Sequence, residues 1–129
     1  MIERIRVLVV DDQPRARQSL RVLLTTCPQV KEVKEAALAR EAMYLIQESP
    51  PDVVLMDLQM PEMDGLQATR LIKAQWPQIK VIVLTMYAEY AAEAQAAGAD
   101  AFVCKGEPPE RLLAIVTELG NVQAERGAK

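Results

Sequence analysis

Residues 52–65 read DVVLMDLQMPEMDG, a short apolar run that ends in Asp57 and continues into a polar loop. Residues 5–14, IRVLVVDDQP, show the same arrangement, with an aliphatic run that ends in Asp11 and Asp12. Strands that are apolar throughout are buried on both faces, as in parallel sheets covered by helices. We therefore predict that these two runs are central strands of a layered α/β fold.

Outward from these runs, short apolar segments alternate with segments whose apolar residues recur at helical spacing, as in βα units of a parallel sheet. Five units fit the chain, with predicted strands at residues 5–10, 30–36, 53–56, 79–84 and 101–104. Helices are predicted at residues 14–27, 38–48, 66–76 and 86–97, the last of these ended by Gly98, and after residue 109. We assign residues 1–120 to one domain and residues 121–129 to a frayed tail or the start of a linker.

Composition indicates a globular protein with one hydrophobic core. Half of the 129 residues are hydrophobic, and 15 Lys and Arg against 18 Asp and Glu give a net charge of −3, which argues against direct nucleic-acid binding. The absence of histidine excludes Ser-His-Asp, Cys-His and histidine-zinc chemistry. Two distant cysteines, no signal peptide and no membrane-spanning run indicate a cytoplasmic protein with no membrane partner.

Polar residues stand at the carboxyl ends of four predicted strands. Asp11 and Asp12 follow the first strand, Asp57 the third, Thr85 the fourth and Lys105 the fifth. Carboxyl ends of parallel strands meet at one edge of the sheet, where such folds bind ligands. Three carboxylates in one crevice require raised pKa values or a cation, and Mg²⁺ prefers oxygen ligands and keeps positions for phosphate oxygens. The sequence therefore predicts a magnesium-assisted phosphate site.

A carboxylate in such a site can act as a nucleophile toward a phosphoryl group and form an aspartyl phosphate. Asp57 is the predicted nucleophile, because it lies on a strand apart from the acidic pair, while Lys105 and Thr85 contact the phosphoryl oxygens. Each residue alone also fits a plainer role: Asp12, just before Pro14, resembles a helix N-cap, and the others resemble solvated loop residues. The occurrence of all five polar residues at the strand ends together favours the magnesium-assisted phosphate site.

These motifs resemble the receiver domain of two-component response regulators. The resemblance rests on VLVVDDQP (7–14), DVVLMDLQMPEMDG (52–65), VIVLTM (81–86) and AGADAFVCKG (97–106), and it covers the chain from Ile5 to about Gly120. It implies a flavodoxin-like fold of five βα units with strand order 2-1-3-4-5. Residues 13–24 and 84–86 are similar to NarL/FixJ-type transcription regulators, which carry a C-terminal helix-turn-helix. Whether the chain stands alone or belongs to such a longer regulator stays open.

The resemblance also implies roles for single residues. Asp57 would be phosphorylated, and Mg²⁺ would be bound by Asp12, Asp57 and the backbone carbonyl of Gln59, with Asp11 assisting directly or through water. Thr85 and Lys105 would contact the phosphoryl group.

Phe102 matches the family's switch aromatic, which turns inward when the Thr85 hydroxyl moves toward the phosphate; simple core packing is the alternative for this ring. Gln59 and Tyr87 occupy positions where the family tunes the lifetime of the acyl phosphate. Lys105 is followed by Gly106 where the family commonly has proline and a cis peptide, so cis geometry is not expected here.

The implied function is a phosphorylation-controlled switch rather than an enzyme with a separate substrate. Because the chain lacks histidine, the phosphoryl donor must be another molecule, a sensor histidine kinase or a histidine phosphotransferase. Arg15, Arg17 and Arg21 give the first helix a basic face that is either solvated or used to dock this donor. Phosphorylation-dependent homodimerisation is implied by the resemblance alone.

Two other functions remain open at this stage. A small-molecule phosphatase or phosphotransferase with an aspartyl nucleophile would need a specificity pocket or cap, and its usual Asp-x-Asp pattern is absent because Asp11 and Asp12 are adjacent. A receiver-like interaction module that is never phosphorylated is the second alternative, although all five site positions are filled.

Overall fold

The structure, a computed structural model, describes residues 4–127 of the chain and the side chains up to residue 122. A five-stranded sheet forms its centre, and its strands are β1 (Ile5–Val10), β2 (Val30–Ala36), β3 (Val53–Asp57), β4 (Lys80–Thr85) and β5 (Ala101–Cys104). All neighbouring strands are parallel, and their order is β2-β1-β3-β4-β5. The predicted doubly wound α/β fold and its strand order are confirmed.

Five helices connect and cover the strands. They are α1 (Pro14–Thr25), α2 (Ala39–Glu48), α3 (Gly65–Gln75), α4 (Ala91–Ala96) and α5 (Pro109–Gly127). Pro14 is accommodated at the start of α1, where its missing N–H costs no helical hydrogen bond. Within the described part of the chain, no helix combines the length and apolar character needed to cross a bilayer.

The core consists of two apolar clusters, one on each face of the sheet, because successive side chains of a strand point to opposite faces. On the face covered by α1 and α5, the cluster includes Ile5, Leu55 and Ile82 of the strands and Leu24 and Leu112 of the two helices. Against α2, α3 and α4 lie, among others, Leu8, Ile46, Met56, Ile72 and Val83. The central strands β1 and β3 contribute to both clusters, and this double burial accounts for their unbroken apolar sequences.

The fourth helix begins later than the sequence predicts. The prediction covers residues 86–97, whereas Ala88–Tyr90 form one 3-10 turn and the α-helix is confined to Ala91–Ala96. Ala94 is the buried residue of α4, so little apolar packing supports further turns. A short helix depends on such packing more than on the helix propensity of alanine, which explains the difference.

The predicted end of this helix at Gly98 is confirmed. Gly98 has a φ of +99°, a conformation that favours glycine. Its N–H donates to the carbonyl of Gln95 at 3.0 Å, and the N–H of Ala99 donates to the carbonyl of Ala94 at 3.0 Å. This pair of bonds is a Schellman motif, which satisfies the last carbonyls of the helix.

The last helix extends further than predicted, since α5 continues to Gly127. Of the predicted tail, residues 121–127 are therefore helical rather than frayed, and residues 128 and 129 lie outside the described residues. A Cβ added at Gly120 would lie 2.7 Å from Ile5 Cγ2, so this glycine lets α5 approach β1 rather than ending the helix. Asn121 Nδ2 also donates to Gln29 Oε1 at 2.8 Å. The domain boundary after residue 120 stays a prediction.

Candidate functional site

Three carboxylates meet at the carboxyl edge of the sheet, as predicted. Asp57 is the last residue of β3, and Asp11 and Asp12 follow the neighbouring strand β1. Asp11 is 1 % exposed and Asp57 is 8 % exposed, while Asp12 is half-buried. One carboxylate oxygen of each residue lies within 4.8 Å of those of the other two. Carboxylates held this close together require raised pKa values or a compensating positive charge.

Lys105 supplies part of that charge. Its Nζ donates to Asp11 Oδ2 at 3.2 Å and to Asp57 Oδ1 at 3.3 Å, so its side chain reaches from the end of β5 past β4 to the two central strands. The backbone N–H of Lys105 donates to the carbonyl of Thr85 at 2.7 Å, which fixes the start of the side chain. The peptide bond to Gly106 is trans, as expected.

The electrostatics of the site follow from burial and from the three carboxylates. Burial raises the pKa of Asp57, and the negative charges of Asp11 and Asp12 act in the same direction, against the lowering effect of Lys105. Burial alone would lower the pKa of Lys105, but the charges of Asp57 and Asp11 outweigh it and raise that pKa. Lys105 is therefore charged at neutral pH, and the site still holds three carboxylates against one ammonium.

This donor set fits a hard divalent cation. Mg²⁺ takes oxygen ligands and is typically bound through one or two carboxylates, with its other positions left to water or to phosphate oxygens. Asp11, Asp12 and Asp57 offer such oxygens at one place, and the unbalanced negative charge there favours a cation. The predicted fourth ligand, the backbone carbonyl of Gln59, belongs to the loop directly after β3, and the Gln59 side chain is exposed.

The loop between β3 and α3 is closed tightly behind Asp57. The N–H of Gly65 donates to the carbonyl of Leu58 at 2.9 Å, and a Cβ on Gly65 would overlap the carbonyl oxygen of Asp57. Asp64 caps α3, since its Oδ1 accepts from the N–H of Gln67 at 2.8 Å. The glycine and the cap therefore hold the backbone that carries Asp57.

The predicted switch and lifetime residues lie around this edge. Thr85 ends β4, is 2 % exposed, and its Oγ1 accepts from the N–H of Tyr87 at 3.3 Å. Phe102 lies on β5, where it pairs with Val83 and packs half-buried on the face covered by α2, α3 and α4. Tyr87 is 45 % exposed, and its ring lies edge-to-face on that of Tyr90 with the centroids 6.3 Å apart.

Sequence reasoning missed the role of two arginines of α1. Arg17 Nη1 donates to the backbone carbonyl of Asp11 at 2.7 Å, and its Nε donates to Glu35 Oε1 at 3.1 Å. Arg21 Nε donates to the other oxygen of Glu35 at 2.5 Å. Of the predicted basic face, these two side chains point back to the edge strand β2, while Arg15 is exposed. The four-residue spacing of Arg17 and Arg21 shows that these two share a helix face but not that Glu35 lies opposite.

The family of the chain follows from comparison with known proteins. Residues 7–117 match the response regulator receiver domain. Together with the fold and the acidic site, this match shows that the chain belongs to the receiver domains of two-component response regulators.

Individual relatives indicate which kind of response regulator the chain resembles. The chain is 42 % identical over 110 residues to the uncharacterized transcriptional regulatory protein YhcZ of Bacillus subtilis, covering 84 % of this chain and 51 % of that protein. It is 41 % identical over 103 residues to the response regulator protein VraR of Staphylococcus aureus, covering 78 % of this chain and 49 % of VraR. The chain thus spans about half the length of these curated relatives.

Solved structures agree with this assignment. A two-component response regulator of the LuxR family from Aurantimonas sp. superposes with a TM-score of 0.81 at 33 % identity, covering 97 % of this chain and 99 % of that one. The predicted resemblance to receivers of the NarL/FixJ type, the group that includes LuxR-family regulators, is confirmed.

Proposed function

We propose that the chain is a phosphorylation-controlled switch in which Asp57 accepts a phosphoryl group from a phosphohistidine. The donor is a sensor histidine kinase or a histidine phosphotransferase. One observation carries this proposal: the Asp57 carboxylate, buried at the carboxyl edge of the sheet, shares its surroundings with two further carboxylates and is hydrogen-bonded to Lys105 Nζ. A nucleophile, a cation-binding group and a fixed positive charge are the parts that phosphoryl transfer requires.

The phosphoryl transfer needs no reactant besides Asp57 and the phosphohistidine. A carboxylate oxygen of Asp57 attacks the phosphorus, the new P–O bond forms as the P–N bond to the donor imidazole breaks, and the bonding pair leaves with the imidazole nitrogen. Lys105 stabilises negative charge on the phosphoryl oxygens through its ammonium group. Asp11, Asp12, Asp57 and the carbonyl of Gln59 would hold Mg²⁺, which when bound supplies further positive charge to the same oxygens.

The switch would act through Thr85 and Phe102. The Thr85 hydroxyl accepts a hydrogen bond from the Tyr87 N–H, and a phosphoryl group on Asp57 offers it a new acceptor. Movement of the hydroxyl toward that group would open space into which the half-buried Phe102 ring turns. Differential contacts of this kind are what allow a covalent modification to shift a two-state equilibrium. Gln59 and Tyr87 would set how long the phosphoryl group persists.

The biological setting proposed is bacterial-type signalling in the cytoplasm, without a separate enzymatic substrate. Because the relatives YhcZ and VraR are named as a transcriptional regulatory protein and a response regulator, we propose transcription control as the output when the chain is part of a longer regulator. Residues 1–120 would then form the receiver and residues 121–129 would lead onward. The domain itself would bind no nucleic acid, and phosphorylation would favour a homodimer.

Intact mass after incubation with phosphoramidate or acetyl phosphate tests the proposal. Wild type, Asp57→Asn and a matched control, Asp52→Asn, would each be measured with and without Mg²⁺. Asp52 stands just before β3, at the opposite edge of the sheet, where it accepts from the Arg6 N–H. We expect one Mg²⁺-dependent phosphoryl adduct in the wild type and control and none in Asp57→Asn. No adduct under any condition would instead indicate an interaction module that works without phosphorylation.

A further inference from the structure

We propose that Arg17 is a positioning residue for the metal site: it fixes the turn after β1 in the conformation in which Asp11 and Asp12 can bind Mg²⁺ together. The inference rests on the proposed function, because it concerns the same cation. It assigns a task to a side chain that touches neither a carboxylate of the site nor the position of the phosphoryl group.

Asp11 is held by four hydrogen bonds. All its polar backbone and side-chain groups are hydrogen-bonded: N to Ala36 O at 3.1 Å, O to Arg17 Nη1 at 2.7 Å, Oδ1 to Gln13 N at 2.9 Å and Oδ2 to Lys105 Nζ at 3.2 Å. Lys105 is shared with Asp57, so its bond must adjust when the charge at Asp57 changes. Arg17 is not shared with Asp57, and its bond therefore holds the turn independently of phosphorylation.

The Arg17 side chain is itself fixed by its contacts. Its side chain is 17 % exposed, and its Nε is bonded to Glu35 Oε1 while its Nη1 reaches the carbonyl of Asp11. The second oxygen of Glu35 is bonded to Arg21, whose Nη2 donates to the carbonyl of Val33 at 2.9 Å. The planar guanidinium fork can make both of its bonds at once, whereas the single ammonium of lysine cannot reproduce this geometry.

The charge of Arg17 and its positioning of the turn predict opposite changes in Mg²⁺ affinity when Arg17 is replaced by a neutral residue. A positive charge near the site repels Mg²⁺, so if only charge mattered, a neutral residue at position 17 would tighten metal binding. If Arg17 positions the turn, the neutral residue would loosen it and weaken binding. Outer partners of metal ligands are typically worth 10-fold or more in affinity. Arg15, exposed on the same helix, provides a control that loses the same charge.

The test is the dissociation constant for Mg²⁺, measured by titration of backbone amide NMR shifts on the unphosphorylated protein. We expect Arg17→Gln to raise it about 10-fold, a value typical of such outer partners. Arg15→Gln should leave it unchanged or slightly lowered, and Arg17→Lys should give an intermediate value because its ammonium can make one of the two hydrogen bonds of the fork. Phosphorylation by phosphoramidate should then need more Mg²⁺ for half-saturation in Arg17→Gln and approach the wild-type rate at saturation.

Glu35→Gln provides a second route that leaves Arg17 in place. It should weaken Mg²⁺ binding in the same direction but less, and its effect should largely vanish in the Arg17→Gln background, since both changes break one chain of contacts. If Arg17→Gln does not fold, Arg17→Lys decides the matter by the same measurement, because it keeps the charge and only a positioning role then predicts weaker Mg²⁺ binding.

Two failures are distinguishable. If the wild type binds no Mg²⁺ and forms no adduct, the proposed function is wrong and this inference falls with it. If the wild type binds Mg²⁺ but folded Arg17→Gln binds it as tightly as Arg15→Gln, or more tightly, only the positioning role is overturned.

Discussion

Gly65, the first residue of α3, lies so close to Asp57 that a Cβ on the glycine would overlap the Asp57 carbonyl oxygen and lie 2.7 Å from Leu58 Cα. Both obstacles are backbone atoms, which cannot move aside as the end of a flexible side chain can. Gly65 is needed because a Cβ has no space there, and not because of its φ. Within residues 4–127, the glycines with a positive φ are Gly98 and Gly106. The backbone beneath the candidate phosphoryl acceptor is thus braced by a residue eight positions further along the chain.

Gly65→Ala should therefore disturb both stability and phosphorylation. Forcing a methyl group against the backbone typically costs about 1–3 kcal/mol, and here the displaced atoms carry Asp57. We expect a lower urea midpoint and slower adduct formation with phosphoramidate. Gly98→Ala is the control, because its strain comes from φ +99° on the loop before β5, away from the site. That variant should lose stability without loss of phosphorylation rate; equal rates for both variants would contradict the prediction.

Asp57→Asn should stabilise the metal-free protein. Burial raises the pKa of Asp57, so the ionised carboxylate is a cost of folding at neutral pH, and a neutral amide removes it, by about 1 kcal/mol. Because the folded pKa is raised, this gain should shrink as the pH falls through that pKa and the wild-type carboxyl becomes protonated. Saturating Mg²⁺ should reverse the order, since binding at 100 times Kd adds about 2.7 kcal/mol to the wild type. Urea titrations at two pH values, with and without Mg²⁺, would show whether the sign changes.

Glu35 should give a pH dependence of the opposite sign. The hydrogen bond from Arg21 lowers its pKa against the opposing effect of burial, with Arg17 assisting. A lowered folded-state pKa stabilises the protein above the ordinary glutamate pKa of 4.5, and this contribution is lost as the pH falls through the lowered value. Glu35→Gln should therefore cost about 1 kcal/mol at pH 7, a size typical of partly exposed ion pairs, and little in acid. Glu32→Gln, exposed on the same strand, should show no such difference in thermal unfolding at the two pH values.

Tyr87→Ala should alter the lifetime of the phosphoryl group more than its formation. Tyr87 lies two residues beyond Thr85, and its partly exposed ring packs edge-to-face against Tyr90. From this position the ring can control the access of water to the phosphoryl group on Asp57. We expect the decay of the adduct, followed by mass after removal of the donor, to change several-fold while the rate of formation changes less. Tyr44→Ala removes an exposed ring on α2 as a control. An unchanged decay in Tyr87→Ala would count against a lifetime role.

The strands and the acidic cluster could be predicted because both depend on local sequence and on one topological rule. Unbroken apolar runs indicate doubly covered strands, and parallel strands bring their carboxyl ends together, so Asp11, Asp12, Asp57 and Lys105 had to meet. Predicting this cluster requires no knowledge of individual side-chain contacts. The three carboxylates and the ammonium of the cluster follow from the residue types alone.

The features that were missed depend on tertiary contacts. The link from Arg17 to Glu35 joins a helix to an edge strand 18 residues later, and spacing within the helix carries no information on its partner. Glycine usually destabilises a helix, and the close approach of Gly120 to Ile5, which explains a glycine within α5, is visible only in the folded structure. The late start of α4 similarly reflects how little of that helix is buried.

Arg17 and Glu35 also bear on how such domains can be recombined. A chimaera of two related receivers with its junction between α1 and β2 would take one member of this pair from each parent, and the turn at Asp11 would lose its support unless both parents carry compatible residues. A junction at residues 37–38, after β2, keeps Asp11, Arg17 and Glu35 in one inherited block. The first two strands and the helix between them thus contain the contacts that join Asp11, Arg17 and Glu35.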